Sequence, residues 1–228
     1  MYKINSFDDK DFISELPNYR LADCVYGWDR KYNFYCKNYP NSIGTKYLRK
    51  TNNLEVYFKN KPPYVDHQIF YDIVMDEIKN NYNNLNNNNY PILHIRIGDA
   101  FNVKGAYKMS INELAQKGSE FVQPITFYED ICKKLINEKK NNIIIIAGIH
   151  NNEKNTKKTR EYLRLIEDLL NKYKINFEYK LGGNPDEAFC LMSSSKIFIP
   201  GGGGFSRLAK HIVRKNSGKI WDSEFGYF

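Results

Sequence analysis

From residue 66 onward the apolar residues recur in two alternating rhythms. Ile69, Phe70, Ile73, Val74 and Ile78 return at helical spacing and predict a helix over 66–82. A mostly apolar stretch at 91–95, interrupted only by His94, reads as a buried strand. The pattern repeats as a helix over 126–140, a strand over 142–147, a helix over 157–173 and a strand over 175–179. Pro185 opens a helix leading into 187–193, with Asp186 favourably placed near its amino end. Ile197–Ile199 is a fourth strand, and a last helix runs from about 205 to 214. Alternation of this kind predicts an α/β domain over 66–228: a Rossmann-like parallel sheet covered by helices. Ligands of such sheets bind beyond the carboxyl ends of the strands, so a site is expected in the loops after 95, 147 and 199.

Residues 1–65 show no sustained period. They are dense in aromatics, among them Tyr26, Trp28, Tyr32, Phe34, Tyr35 and Tyr39, and are broken by Pro17, Gly27, Pro40 and Gly44. We read them as a small, loop-rich amino-terminal subdomain whose aromatics pack a core, with a strand over 54–58 where apolar and polar residues alternate. The Asn-rich tract at 81–90 is expected to be a connector.

Composition narrows the function classes. With 228 residues, 42% hydrophobic and 26% charged, the chain can bury a large core, which excludes disorder of the whole. The longest apolar run, 143–147, is far below the roughly 20 residues of a membrane-spanning helix. Acidic residues at 8 and 9 stand where a signal peptide would be apolar, so a cytoplasmic location is expected. Cys24, Cys36, Cys132 and Cys190 form no metal-ligand spacing and read as reduced thiols. The net charge of +8 has two explanations, a polyanionic partner or the Lys- and Asn-rich codon usage of an AT-rich, virus-like genome. A basic nucleic-acid binder rests on that charge and the aromatics alone and is the least favoured reading.

Two loops carry candidate chemistry. After the first strand comes His94-Ile95-Arg96-Ile97-Gly98-Asp99. It places an arginine able to fork two hydrogen bonds onto a phosphate, beside an acid and a glycine that lets backbone approach a ligand. After the fourth strand comes Gly201-Gly202-Gly203-Gly204-Phe205-Ser206-Arg207. Glycines running into a helix bring bare amides to the positive end of its dipole, which suits an anion. Together they point to a nucleotide or diphosphate. His150, after the second strand, is a weaker candidate, and His67 and His211 have no partner visible in the sequence. The serines at 193–195 lack a nucleophile elbow.

His94-Ile95-Arg96-Ile97-Gly98-Asp99 resembles the H-x-R-x-G-D motif of the α1,2-, α1,6- and protein O-fucosyltransferase group. The segment from Phe189 through Met192 to Phe205-Ser206 is similar to that group's second motif, and the likeness covers about 66–215. It implies the carboxyl-terminal half of a GT-B glycosyltransferase that is inverting and metal-independent. No cofactor is implied; the donor substrate would be a GDP-sugar, GDP-fucose first, and the acceptor a glycan or glycoprotein. Arg96 would assist departure of GDP and Asp99 would orient it or serve as base. His94 and Asp186 would contact the guanine, while Gly98, Gly203, Gly204, Phe205, Ser206 and Arg207 would line the donor site. The chain departs from the group at Ile97, where many members carry a second arginine, and at Gly203 and Gly204, where they carry hydroxyls. Ala188 stands at a position acidic in relatives. An amino-terminal half without a recognised G-x-G-N-Q segment leaves a second reading open, a catalytically silent nucleotide-sugar or glycan-binding module.

Overall fold

The computed structural model describes residues 4–16, 18–26, 32–51, 65–82, 89–103, 105–149 and 156–222. Its strands are β1 Ile92–His94, β2 Asn142–Ala147, β3 Asn176–Leu181, β4 Ile197–Ile199 and β5 Lys219–Ile220. All pair in parallel, in the order β3-β2-β1-β4-β5. The α/β class expected from the sequence is the one observed. Its helices are α1 Leu21–Tyr26, α2 Tyr32–Asn38, α3 Ile43–Thr51, α4 His67–Asn81, α5 Ile111–Lys117, α6 Ile125–Asn137, α7 Thr156–Lys172, α8 Pro185–Ser193 and α9 Gly203–Lys215.

The poly-isoleucine strand β2 serves two cores. Successive side chains of a strand point to opposite faces, so Ile143 and Ile145 pack with Tyr128, Ile131, Leu135 and Ile166 of α6 and α7. Ile144 and Ile146 pack on the other face with α4, α8 and α9 through Phe70, Phe189 and Leu208. β3 lies at the sheet edge and alternates instead: Phe177 and Tyr179 are buried, while Glu178 and Lys180 form an exposed ion pair at 3.0 Å.

Three short helices, α1 to α3, form where the pattern predicts none. The strand expected at 54–58 lies outside the described residues. Tyr19, Tyr35 and Tyr47 are fully buried in the second core beside Phe70 and Phe189, so this part of the chain shares one core with the sheet. α5 and β5 were also unpredicted. For α5 the signal was present, a capping box in which Ser110 and Glu113 exchange backbone and side-chain hydrogen bonds.

Two features of the topology make a site. The chain builds β1, β2 and β3 outward in one direction, then returns to place β4 on the other side of β1. The order reverses between β1 and β4, and there the departing loops leave a crevice at the carboxyl edge. Ahead of α1 the chain crosses the same edge, where Ile13 bridges Ile149 and Ser14 bridges Gly183. The crossing needs glycine at 182. A Cβ there would stand 2.6 Å from the carbonyl oxygens of Asp11 and Ile13, and its φ of +57° lies in the left-handed region.

Candidate functional site

A shallow crevice with a cavity volume of about 40 Å³ lies over β1 and β2 and is lined by Ser14, His94, Arg96, Pro185, Ala188 and Phe205, among others. It unites loops more than a hundred residues apart in sequence.

Arg96 and the tetraglycine bend meet there. The bend presses directly on β1: a Cβ at Gly201 would come within 2.2 Å of the His94 carbonyl oxygen and 2.9 Å of the Arg96 nitrogen. Gly202 and Gly203 follow with φ of +97° and +76°, and Gly202, at the N-cap of α9, supplies no side-chain hydrogen bond to the first-turn amides. A Cβ at Gly203 would lie 3.8 Å from Arg96 Nε. That nitrogen is buried and has no hydrogen-bond partner among the described residues. A buried donor beside uncapped amides at a helix amino end favours an anion on charge and hydrogen-bonding grounds alike.

Asp99 orients the arginine. Arg96 Nη2 donates to its carboxylate at 2.8 Å, and Arg20 Nη1 stands 3.8 Å away. Two guanidinium groups thus share one carboxylate, leaving a surplus positive charge at the mouth. Sequence reasoning missed Arg20, because only the crossing of the amino-terminal segment brings residue 20 to residue 99. It also missed Ser14, Gly148 and Gly182; the two glycines, standing just after β2 and β3, were a legible signal.

The other candidates occupy varied places. His94 is buried, with Nδ1 2.6 Å from Ser206 Oγ. Phe205 lines the crevice and packs against His94, ring centroids 5.8 Å apart. Gly98 adopts φ +68° with Ile149 as its neighbour, 3.1 Å from where a Cβ would stand. The Arg207 guanidinium lies over the Tyr26 ring at 5.9 Å. Gly204 sits in the first turn of α9. His150 is outside the described residues. His67 and His211 stack on each other at 4.3 Å, and burial together with the neighbouring His67 holds His211 below its ordinary value.

Asp186 faces the protein interior. One oxygen accepts from Tyr19 O–H and the other from Ile43 N–H, each at 2.8 Å, while the Tyr19 oxygen accepts from Gly44 N–H. Both of its oxygens therefore bind the start of α3 and its neighbour, tying the amino-terminal helices to the base of the crevice wall. Burial pushes its carboxyl up to about 6, against the lowering effect of those hydrogen bonds. The unfolded group ionises near 3.8, so the folded state holds this proton more tightly. Its contribution is complete below pH 4 and is lost as pH rises through 6, by about 3 kcal/mol in all. Asp186→Asn, which cannot ionise, is therefore expected to gain on the wild type by about that amount between pH 4 and pH 7. Urea unfolding across that range measures it. A difference that does not change with pH contradicts the assignment.

Among the described residues no helix is long and apolar enough to cross a membrane, and no group of three His, Cys, Asp or Glu could hold a metal ion. No family model matches the chain, and no curated protein matches it. Among solved structures it is similar to a crystal structure of POFUT1 in complex with GDP-fucose, at a TM-score of 0.42 and 12% identity, over 81% of this chain and 59% of that one. A second, of POFUT1 in complex with GDP, gives a TM-score of 0.40 and 12% identity over 83% and 62%. The chain thus spans about six tenths of the length of these neighbours.

Proposed function

We propose that the chain binds a nucleoside-diphosphate sugar, GDP-fucose first among candidates, and transfers the sugar with inversion to a glycan or glycoprotein hydroxyl. The observation that carries this reading is the buried, unpartnered Arg96 Nε lying against Gly203 at the uncapped start of α9. Cleavage of the bond between the sugar's anomeric carbon and the phosphate oxygen sends the electron pair onto the departing diphosphate. A guanidinium and helix-terminal amides fixed at that point stabilise the developing charge without reorganising, the role a metal ion plays elsewhere. The acceptor hydroxyl oxygen attacks the anomeric carbon from the opposite face of the sugar, and its proton passes to water or to the departing diphosphate. Asp99 is assigned to orienting Arg96, because its carboxylate already accepts from that side chain. His94 and Phe205 line the same crevice and are assigned to the nucleotide.

The test is a thermal-shift series over GDP, UDP, CMP and their sugars. A ligand at a hundred times its Kd stabilises the native state by about 2.7 kcal/mol, or roughly 5–10 °C for a chain of this size. GDP and GDP-fucose are expected to give that shift; its absence for every nucleotide refutes the reading. A second reading, a binding module that does not transfer, is favoured by glycines at 203 and 204, which leave only backbone donors there. Calorimetric binding of GDP-fucose with no sugar released or transferred selects it.

A further inference from the structure

Two open hollows, of about 410 and 450 Å³, share Asn112 and Leu165 in their walls and form one groove between α5 and α7. Ile111, Ile125, Leu165 and Leu169 give it an apolar lining. On α7 the same groove is lined by Glu161, Arg164, Asp168 and Lys172. At 3.6 residues per turn these four share one stripe of the helix with Leu165. Arg164, Asp168 and Lys172 are exposed, and Glu161 and Leu165 are half-buried. Their charges are poorly matched within the chain. Arg164 Nε donates to the uncharged Asn5 Oδ1 at 2.8 Å, and Lys172 Nζ stands 3.6 Å from the Glu129 carboxylate. Neither Glu161 nor Asp168 has an ion-pair partner among the described residues.

We propose that a second copy of the chain docks on this groove, the two α7 helices packing antiparallel about a twofold axis near residue 166. Along the helix the charges run acid, base, acid, base. Reversed against itself, that order sets each Glu161 opposite Lys172 of the other copy and each Arg164 opposite Asp168. The pairs 161–172 and 164–168 have nearly the same midpoint, so both align to within one residue's rise, about 1.5 Å. A parallel pairing in register would bring like charges together. The twofold also keeps each side of the stripe on its own side: Leu165 and Leu169 meet their copies, and Arg164 and Asp168 pair on the flank opposite. The result is an isologous interface with an apolar centre and a charged rim. It does not depend on the proposed donor site.

Sedimentation velocity of the full chain tests this. Exposed ion pairs contribute little each, so the wild type is expected to pass from monomer to dimer in the micromolar range, and to dimerise less as salt rises from about 0.1 to 1 M. Arg164→Asp and Asp168→Arg each turn two attractive contacts of a twofold interface into repulsive ones. Each is expected to weaken the dimer at least about tenfold. Both side chains are exposed, so melting is expected to stay at the wild-type value. An equimolar mixture of the two variants restores opposite charges at both contacts and is expected to dimerise as the wild type does. So is the chain carrying both substitutions. A wild type that stays monomeric throughout that range overturns the proposal. A dimer that neither substitution weakens does so too, as does a mixture of the two variants that stays monomeric.

Discussion

Arg96→Ala is expected to abolish measurable sugar transfer, at a cost of roughly 10²–10³-fold for the loss of one preorganised donor to the leaving group. It is also expected to weaken GDP binding in calorimetry, since the side chain is assigned to the diphosphate. The fold should survive. Arg96 belongs to neither hydrophobic core, and its guanidinium is partly exposed at the end of a strand. Nor does its removal strand Asp99, because Arg20 stands 3.8 Å from that carboxylate and remains after the substitution. Arg96→Lys should recover only part of the loss, since an ammonium is a point charge without the planar fork that spans two oxygens. Unchanged melting with unchanged GDP affinity in Arg96→Ala would remove the arginine from the site.

The second large effect concerns the backbone. Gly201→Ala is expected to destabilise the protein by more than about 3 kcal/mol, beyond the ordinary range of overpacking. The added methyl would meet the His94 carbonyl oxygen at 2.2 Å, and a strand carbonyl cannot rotate away as a side chain can. Relief requires the glycine bend to lift off β1, which opens the gap between Arg96 and Gly203 that defines the site. Gly148→Ala is the matched control. It lines the same crevice, but its methyl would stand 3.6 Å from Gly182 Cα, ordinary van der Waals contact. Chemical denaturation of the two variants should therefore differ by several kcal/mol. Equal stabilities would mean that β1 and the bend are not in the contact described.

Much of the fold was legible because it is local. The strands at 142–147 and 197–199 and the helices at 125–137 and 156–172 lie close to where their apolar spacing puts them. Burial on both faces made β2 an unbroken run of isoleucine, whereas β3, at the edge, alternates because one face meets water. The amino-terminal helices were not legible. Their aromatics have no helical period of their own, and they are held by packing against α4, α8 and α9 across the second core. The α5 capping box shows the opposite case, a local signal sufficient to place a helix that periodicity overlooked.

The site divides in the same way. Arg96 and the glycines were recognisable because an arginine and a glycine run at the carboxyl ends of strands can be read from their neighbours alone. Asp186 shows the limit of that reading. Its place in the first turn of α8 was correct, yet Tyr19 and Ile43, which bind its oxygens, lie more than a hundred residues away.

By itself, then, the order of residues determined the parallel sheet, the helices that cover it and the two anion-favouring loops. Each depends on spacing within a dozen residues, where backbone geometry translates pattern directly into structure. Tertiary structure alone decided that β1 and β4 are neighbours and that Gly203 faces Arg96 across the resulting gap. It alone brought Ser14 and Arg20 over the sheet edge and turned Asp186 inward. Those contacts are selected by the burial of two complete cores, a property of the whole chain that no short segment contains.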